Sequence, residues 1–137
     1  GIEEVTERWN TPTRIMTAAG PIEAGTMAGL RFEVQGIVGV EPVIVLEHVT
    51  RMHDDVAPDW PRFTNPQGGY RVTVEGNPRM VLDLEITGED GDHNTGGLIV
   101  TAQRLIHSIP AVVEAAPGLV SPLDLPFPSG KGSVRPG

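Results

Sequence analysis

Two stretches of this chain hold residue types at spacings that can do chemistry. The first is VIVLEHVTRM at 43–52, which carries Glu47, His48 and Arg51 and runs on into His53, Asp54 and Asp55. An arginine and a histidine at a strand end suit a carboxylate-bearing ligand: a guanidinium grips a carboxylate bidentately, and an imidazole moves a proton near neutral pH. In a regular strand, His48, Thr50 and Met52 share one face and Glu47, Val49 and Arg51 the other. His48 and Arg51 therefore converge only if the strand bulges or ends near residue 50. The alternative is structural, with Arg51 paired to Glu47 or Asp54 at the surface and a hydrogen-bonded His48.

The second stretch is DHNTGG at 92–97. It opens a segment of helical periodicity, and a helix start offers free N–H groups and a positive dipole end to an anion. Gly96 and Gly97 remove side chains where a ligand or a facing backbone approaches. His93, just before the expected helix, is placed to donate to the same ligand beside Asn94 and Thr95. Asn94 is the expected N-cap, with Asp92 adding negative charge near the helix end. The alternative is a plain helix start whose glycines allow tight packing on a sheet.

The elements that must position these residues follow from periodicity. Residues 26–38 alternate, with Leu30, Phe32 and Val34 on one face and Arg31, Glu33 and Gln35 on the other. GVEP at 39–42 supplies a turn, and 43–52 reads as a strand passing from a core to an open end. Residues 55–69 hold Pro58, Pro61, Pro66, Gly68 and Gly69 and read as a loop. The runs 70–76 and 80–87 alternate around GNP at 76–78, which predicts an antiparallel hairpin. From Leu98 the apolar positions fall at Ile99, Ala102, Leu105, Ile106 and Ile109, a helical stripe. Pro110 either kinks this helix or starts a second one. The expected fold is α+β: an antiparallel-rich mixed sheet with one face covered by one or two helices. The other face mixes Val49 and Val81 with Arg31, Glu33 and Gln35, which predicts a polar, symmetric contact in a homodimer or homotetramer.

Composition bounds the rest. At 137 residues one domain is the default. Residues 1–8 read as a polar leader, 9–127 as the domain, and 128–137, PSGKGSVRPG, as a flexible tail. There is no cysteine, so neither a disulfide nor a thiolate metal site is possible. His48, His53, His93 and His107 show no metal-binding spacing, and no metal is expected. A net charge of −8 argues against nucleic acid. No apolar run approaches the roughly 20 residues of a membrane span, and the acidic start GIEEVTERWN is no secretory signal. No membrane partner and a cytoplasmic location are the expectations. No GxSxG supports a serine hydrolase, and no GxGxxG follows a strand.

Three segments, VIVLEHVTRMHDDVAPDWP, GEDGDHNTGG and IPAVVEAAPGLVSPLDLP, resemble the C-terminal domain of the 2,4-diaminopentanoate-dehydrogenase-like branch of the dihydrodipicolinate reductase superfamily. The similarity runs from about Trp9 to Pro126. It implies an oxidoreductase whose N-terminal Rossmann domain binds NAD or NADP and whose C-terminal domain holds substrate and oligomer contacts. Cofactor binding is thus expected outside this chain. His48 matches the first histidine of the reductase pattern, Val49 stands at the second, and Arg51 or His53 stands near the place of its lysine. Asp-Trp-Pro at 59–61 replaces the Ser-Gly-Thr turn that holds a dipicolinate carboxylate. These departures point to an amine or amino acid, or the matching imine, as substrate. The resulting expectation is a substrate-binding and oligomerisation domain, inactive alone, with His48 and Arg51 as catalytic groups and His53, His93, Asn94, Thr95, Gly96 and Gly97 as substrate contacts. The alternatives are a stand-alone small-ligand-binding module and a purely structural dimerisation domain of the same fold.

Overall fold

A computed structural model describes residues 1–17, 20–89 and 91–128. The elements are β1 (Ile2–Asn10), β2 (Ile15–Thr17), β3 (Gly20–Ile22), β4 (Met27–Val38), β5 (Glu41–Arg51), β6 (Gly68–Val74), β7 (Met80–Leu84) and α1 (His93–Glu114). They fall into two units, Gly1–Ile86 and Thr87–Gly137. The fold class is α+β.

In the first unit five strands form one sheet in the order β1-β4-β5-β6-β7, and β2 and β3 form a small hairpin of their own. Every pairing among the described residues is antiparallel, so the sheet is not mixed. The alternating segment 26–38 and the strand expected at 43–52 become the long β4–β5 hairpin, and the pair expected around GNP becomes β6–β7. Pro42 lies beside the irregularity at Gly36/Ile37, where a residue without an N–H is tolerated.

Residues 1–8, expected as a leader, are instead most of β1, which pairs with β4 from Ile2↔Gly36 to Asn10↔Met27. Glu3, Glu4, Glu7 and Arg8 disguise this strand in the sequence. On an edge strand such charges are useful, because they discourage pairing with another chain. The tail expected at 128–137 lies, Pro128 aside, outside the described residues.

The sheet has two chemically distinct faces. One carries Glu7, Arg31, Glu33, Glu47, Arg71 and Asp83, and there Arg31 Nε donates to Glu47 at 2.6 Å while its other nitrogens meet Glu7 and Glu33. Burial works against the Arg31 charge, but the Glu47 hydrogen bond and the charges of Glu47, Glu33 and Glu7 outweigh it and raise its pKa. At the end of this face the chain after β5 folds back over the sheet. Two glycines make room for it: a Cβ on Gly29 would lie 2.8 Å from Val56, and one on Gly69 2.8 Å from Phe63. The core gathers there, with Ala28, Val56 and Ala57 buried and Trp9, Ile15, Ile22 and Trp60 packed against them. The opposite face is a field of apolar side chains around His48, and Leu46 and Leu82 on it are 48% and 59% exposed.

In the second unit α1 runs unbroken through Pro110, so neither a second helix nor a break starts there. Its cap is Asp92 rather than Asn94: Asp92 Oδ1 accepts from Thr95 N at 2.6 Å, and Asn94 lies inside the first turn. By length and composition alone this 22-residue helix, which holds an 18-residue window of mean hydropathy 1.2, is long and apolar enough for a membrane span, although no continuous apolar run in it approaches that length. One such helix is weak evidence, and Arg104 near its middle would cost about 2.5–3.5 kcal/mol at a bilayer centre.

Candidate functional site

β5 stays in regular register as far as Arg51, opposite Gly29 on β4. Alternation therefore holds through the site, and His48 and Arg51 sit on opposite faces of the strand. The structure does not bring them together.

Arg51 points under the returning loop and is fully buried. Its Nε donates to Val56 O at 2.9 Å, and its Nη2 is within 3.3 Å of Ala57 O and 3.0 Å of Trp60 O and Pro61 O. Among the described residues no carboxylate forms an ion pair with it. Burial, and then the nearby Arg62 charge, lower its pKa from the ordinary value. The guanidinium thus does for this loop what a metal ion does elsewhere, gathering carbonyl oxygens from one turn around a single positive centre. Ala57, in the middle of that turn, takes a left-handed conformation at φ 48°. Only a well-determined surrounding holds a non-glycine residue there.

Above this anchor the loop displays His53, Asp54 and Asp55. His53 is half exposed, and its Nδ1 accepts from Asp55 N at 3.3 Å and lies 3.6 Å from Asp55 Oδ2. Arg62 fixes the loop's far side by donating to Asp54 O at 2.8 Å.

His48 lies at the centre of the apolar face, between the rings of Phe32 and Tyr70 at centroid distances of 5.0 and 4.3 Å. Its Nε2 and Thr50 Oγ1 share a hydrogen bond of 2.7 Å. That environment is the one the structural alternative describes for this residue.

In the second unit His93 is the first residue of α1 and is buried, not poised ahead of the helix. Asn94 and Thr95 complete the turn that Asp92 caps, and Gly96 N donates to Asp92 O at 3.1 Å. The helix start therefore carries its own anion. The two glycines differ. A Cβ on Gly96 would lie 2.6 Å from the Thr87 backbone, whereas one on Gly97 would meet nothing within 4 Å. Gly96 is explained by close packing, and only Gly97 borders open space.

The described residues form no glycine-opened βαβ unit of the kind that cradles a dinucleotide. The sheet lacks any parallel βαβ unit, and the one glycine-rich helix start is occupied by Asp92 and the Thr87 backbone.

Residues 1–134 match the family described as 2,4-diaminopentanoate dehydrogenase C-terminal domain. The chain belongs to that family. It is also similar to a protein named amine dehydrogenase from Streptomyces virginiae, with 45% identity over 130 residues, covering 92% of this chain. The chain spans 36% of the length of that relative. The resemblance read from the three segments is thus shown over nearly the whole chain, including the β1 residues that it left out.

What sequence reasoning missed is the anchoring role of Arg51. A signal was present: its alternation partner Val49 is apolar, and the following MHDDVAPDWP is rich in turn residues whose carbonyls need a donor.

Proposed function

We propose that this chain is the substrate-side domain of an NAD(P)-dependent dehydrogenase acting on an amine or amino acid, or of the corresponding imine reductase, and that it also carries oligomer contacts. The observation that carries this reading is the 45% identity to an amine dehydrogenase over 92% of the chain. Cofactor binding would rest with another domain of the enzyme, in keeping with the lack of a glycine-opened βαβ unit among the described residues.

The loop after β5 is the part of the domain best built to meet substrate. Binding residues commonly sit on loops held by a rigid scaffold, and Arg51 holds this one from beneath. Asp54 and Asp55 offer carboxylates to an ammonium group, and His53 beside them offers an imidazole that can donate or accept a hydrogen bond. Arg51 acts here as a positioning residue. His48 and the His93–Gly97 turn are assigned no step.

The test is steady-state kinetics of a full-length enzyme carrying this domain. His53→Ala and Asp55→Asn should raise KM for the amine or lower kcat by about tenfold or more, the scale of a lost charge-assisted contact, while nucleotide affinity stays unchanged. Wild-type kcat/KM in both variants would remove the loop from the site.

A further inference from the structure

Arg51 Nη1 and Gln67 Oε1 are buried and have no hydrogen-bond partner among the described residues. They belong to neighbouring residues of the fold. β5 and β6 pair as far as Thr50↔Gly68, and one step further the Arg51 backbone N–H donates to Gln67 O at 2.6 Å. Opposed residues of an antiparallel pair point to the same face. Gln67 therefore shares the face on which Arg51 reaches under the returning loop. Gly69, two residues further on, agrees with this parity, because a Cβ there would meet Phe63 of that loop.

A buried polar group without a partner is destabilising, and more so when it belongs to a charged side chain. Native folds leave few of them. The two atoms are complementary in kind, since Nη1 only donates and Oε1 only accepts, yet they do not bond to each other. Three occupants can be weighed. A cation is repelled by the guanidinium. An anion would suit Nη1 but would lie against Gln67 Oε1 and beside the oxygens of Val56, Ala57, Trp60 and Pro61 that the same guanidinium gathers. A water molecule accepts from Nη1 and donates to Oε1, and keeps a second hydrogen for a spare lone pair among those carbonyls. Buried waters are held by two to four such partners.

We infer that one ordered water lies between Arg51 Nη1 and Gln67 Oε1 and joins them. Arg51 is then tied to the loop by its Nε and Nη2 and to the start of β6 by its Nη1. Gln67 becomes a positioning residue for the loop after β5, acting through Arg51. Whether that loop meets substrate rests on the reading above. The water is read by diffraction and amide exchange rather than by kinetics, so either can fail without the other.

The experiment is a crystal structure of the full chain at about 1.5 Å or better, where buried waters are resolved, with a second crystal soaked in bromide. The expected result is one peak within about 3.2 Å of both atoms, with no anomalous signal after the soak. No peak, a direct Arg51–Gln67 hydrogen bond, or a peak that bromide replaces overturns the inference, the last by making the occupant an anion. Amide exchange supplies the functional readout. Val56 N donates to His53 O and Trp60 N to Ala57 O, both within the loop. Relative to the amides of β4, these two should exchange about tenfold faster in Gln67→Leu, the scale of a lost buried hydrogen bond. Gln67→Glu keeps an acceptor and should restore the wild-type rates. An acceptor that truly lacks a partner predicts the opposite sign, because leucine would remove a buried polar atom. Unchanged or slower exchange in Gln67→Leu, or no rescue by Gln67→Glu, therefore also overturns it.

Discussion

Arg51 shows how a residue can be singled out by type and still be given the wrong work. Its position at the end of an apolar strand fits a substrate clamp, but strand parity sends it beneath a loop whose carbonyls take up its Nε and Nη2 donors. Replacing it removes a buried cation and leaves those carbonyls without partners, so Arg51→Met should destabilise the chain by about 2–4 kcal/mol. Arg51→Lys should recover only part of this, since one ammonium cannot span the same carbonyls. Urea unfolding followed by tryptophan emission reads both effects, because Trp9 and Trp60 pack in the adjoining core. A change below about 0.5 kcal/mol in Arg51→Met would show that the loop holds itself. A second residue-scale expectation concerns acid. The hydrogen bond from Arg71 holds the Asp83 carboxyl below its ordinary pKa. A carboxylate with a depressed folded pKa stabilises above its unfolded value and loses that contribution as pH falls through the folded one. Both side chains are partly exposed, so the energy is small. The titration midpoint of Asp83 by NMR should nevertheless move upward in Arg71→Gln.

Among the elements, the two glycines of α1 make a matched pair. Gly96→Ala forces a methyl group against the Thr87 backbone and should cost about 1–3 kcal/mol. Gly97→Ala meets open space and should be neutral or stabilise by up to about 1 kcal/mol through helix propensity. Thermal unfolding of the two variants side by side checks this, and equal destabilisation would contradict the packing at Thr87. Element type was legible wherever burial imposed a period. β4, β6 and β7 were readable because their apolar positions recur at every second residue, and β5 because of its short, nearly continuous apolar run. β1 was not, because both its faces carry charge at the sheet edge, and the short β2–β3 hairpin is too brief to show a period. The helix was readable from its stripe, but its start was misplaced by two residues, since Asp92 and Asn94 are both good caps and only the chain's path selects between them. Pro110 started no second helix and no break in α1, an outcome that its residue type alone could not decide.

At the scale of the molecule, the sequence carried the family but not the arrangement of the site. The matching segments were recognisable as strings of residues, and the profile match extends them over residues 1–134. Which groups face one another depends on strand parity and on a loop that folds back over Gly29 and Gly69, and neither is written in a local motif. The central claim is that this chain is the substrate side of a dehydrogenase and that dinucleotide binding lies elsewhere. The most direct test is a titration of the 137-residue chain with NADH and NADPH, followed by nicotinamide fluorescence. No saturable change is expected up to about 1 mM, the affinity range of contacts worth only about 4 kcal/mol. A dissociation constant in the micromolar range for either nucleotide would contradict it.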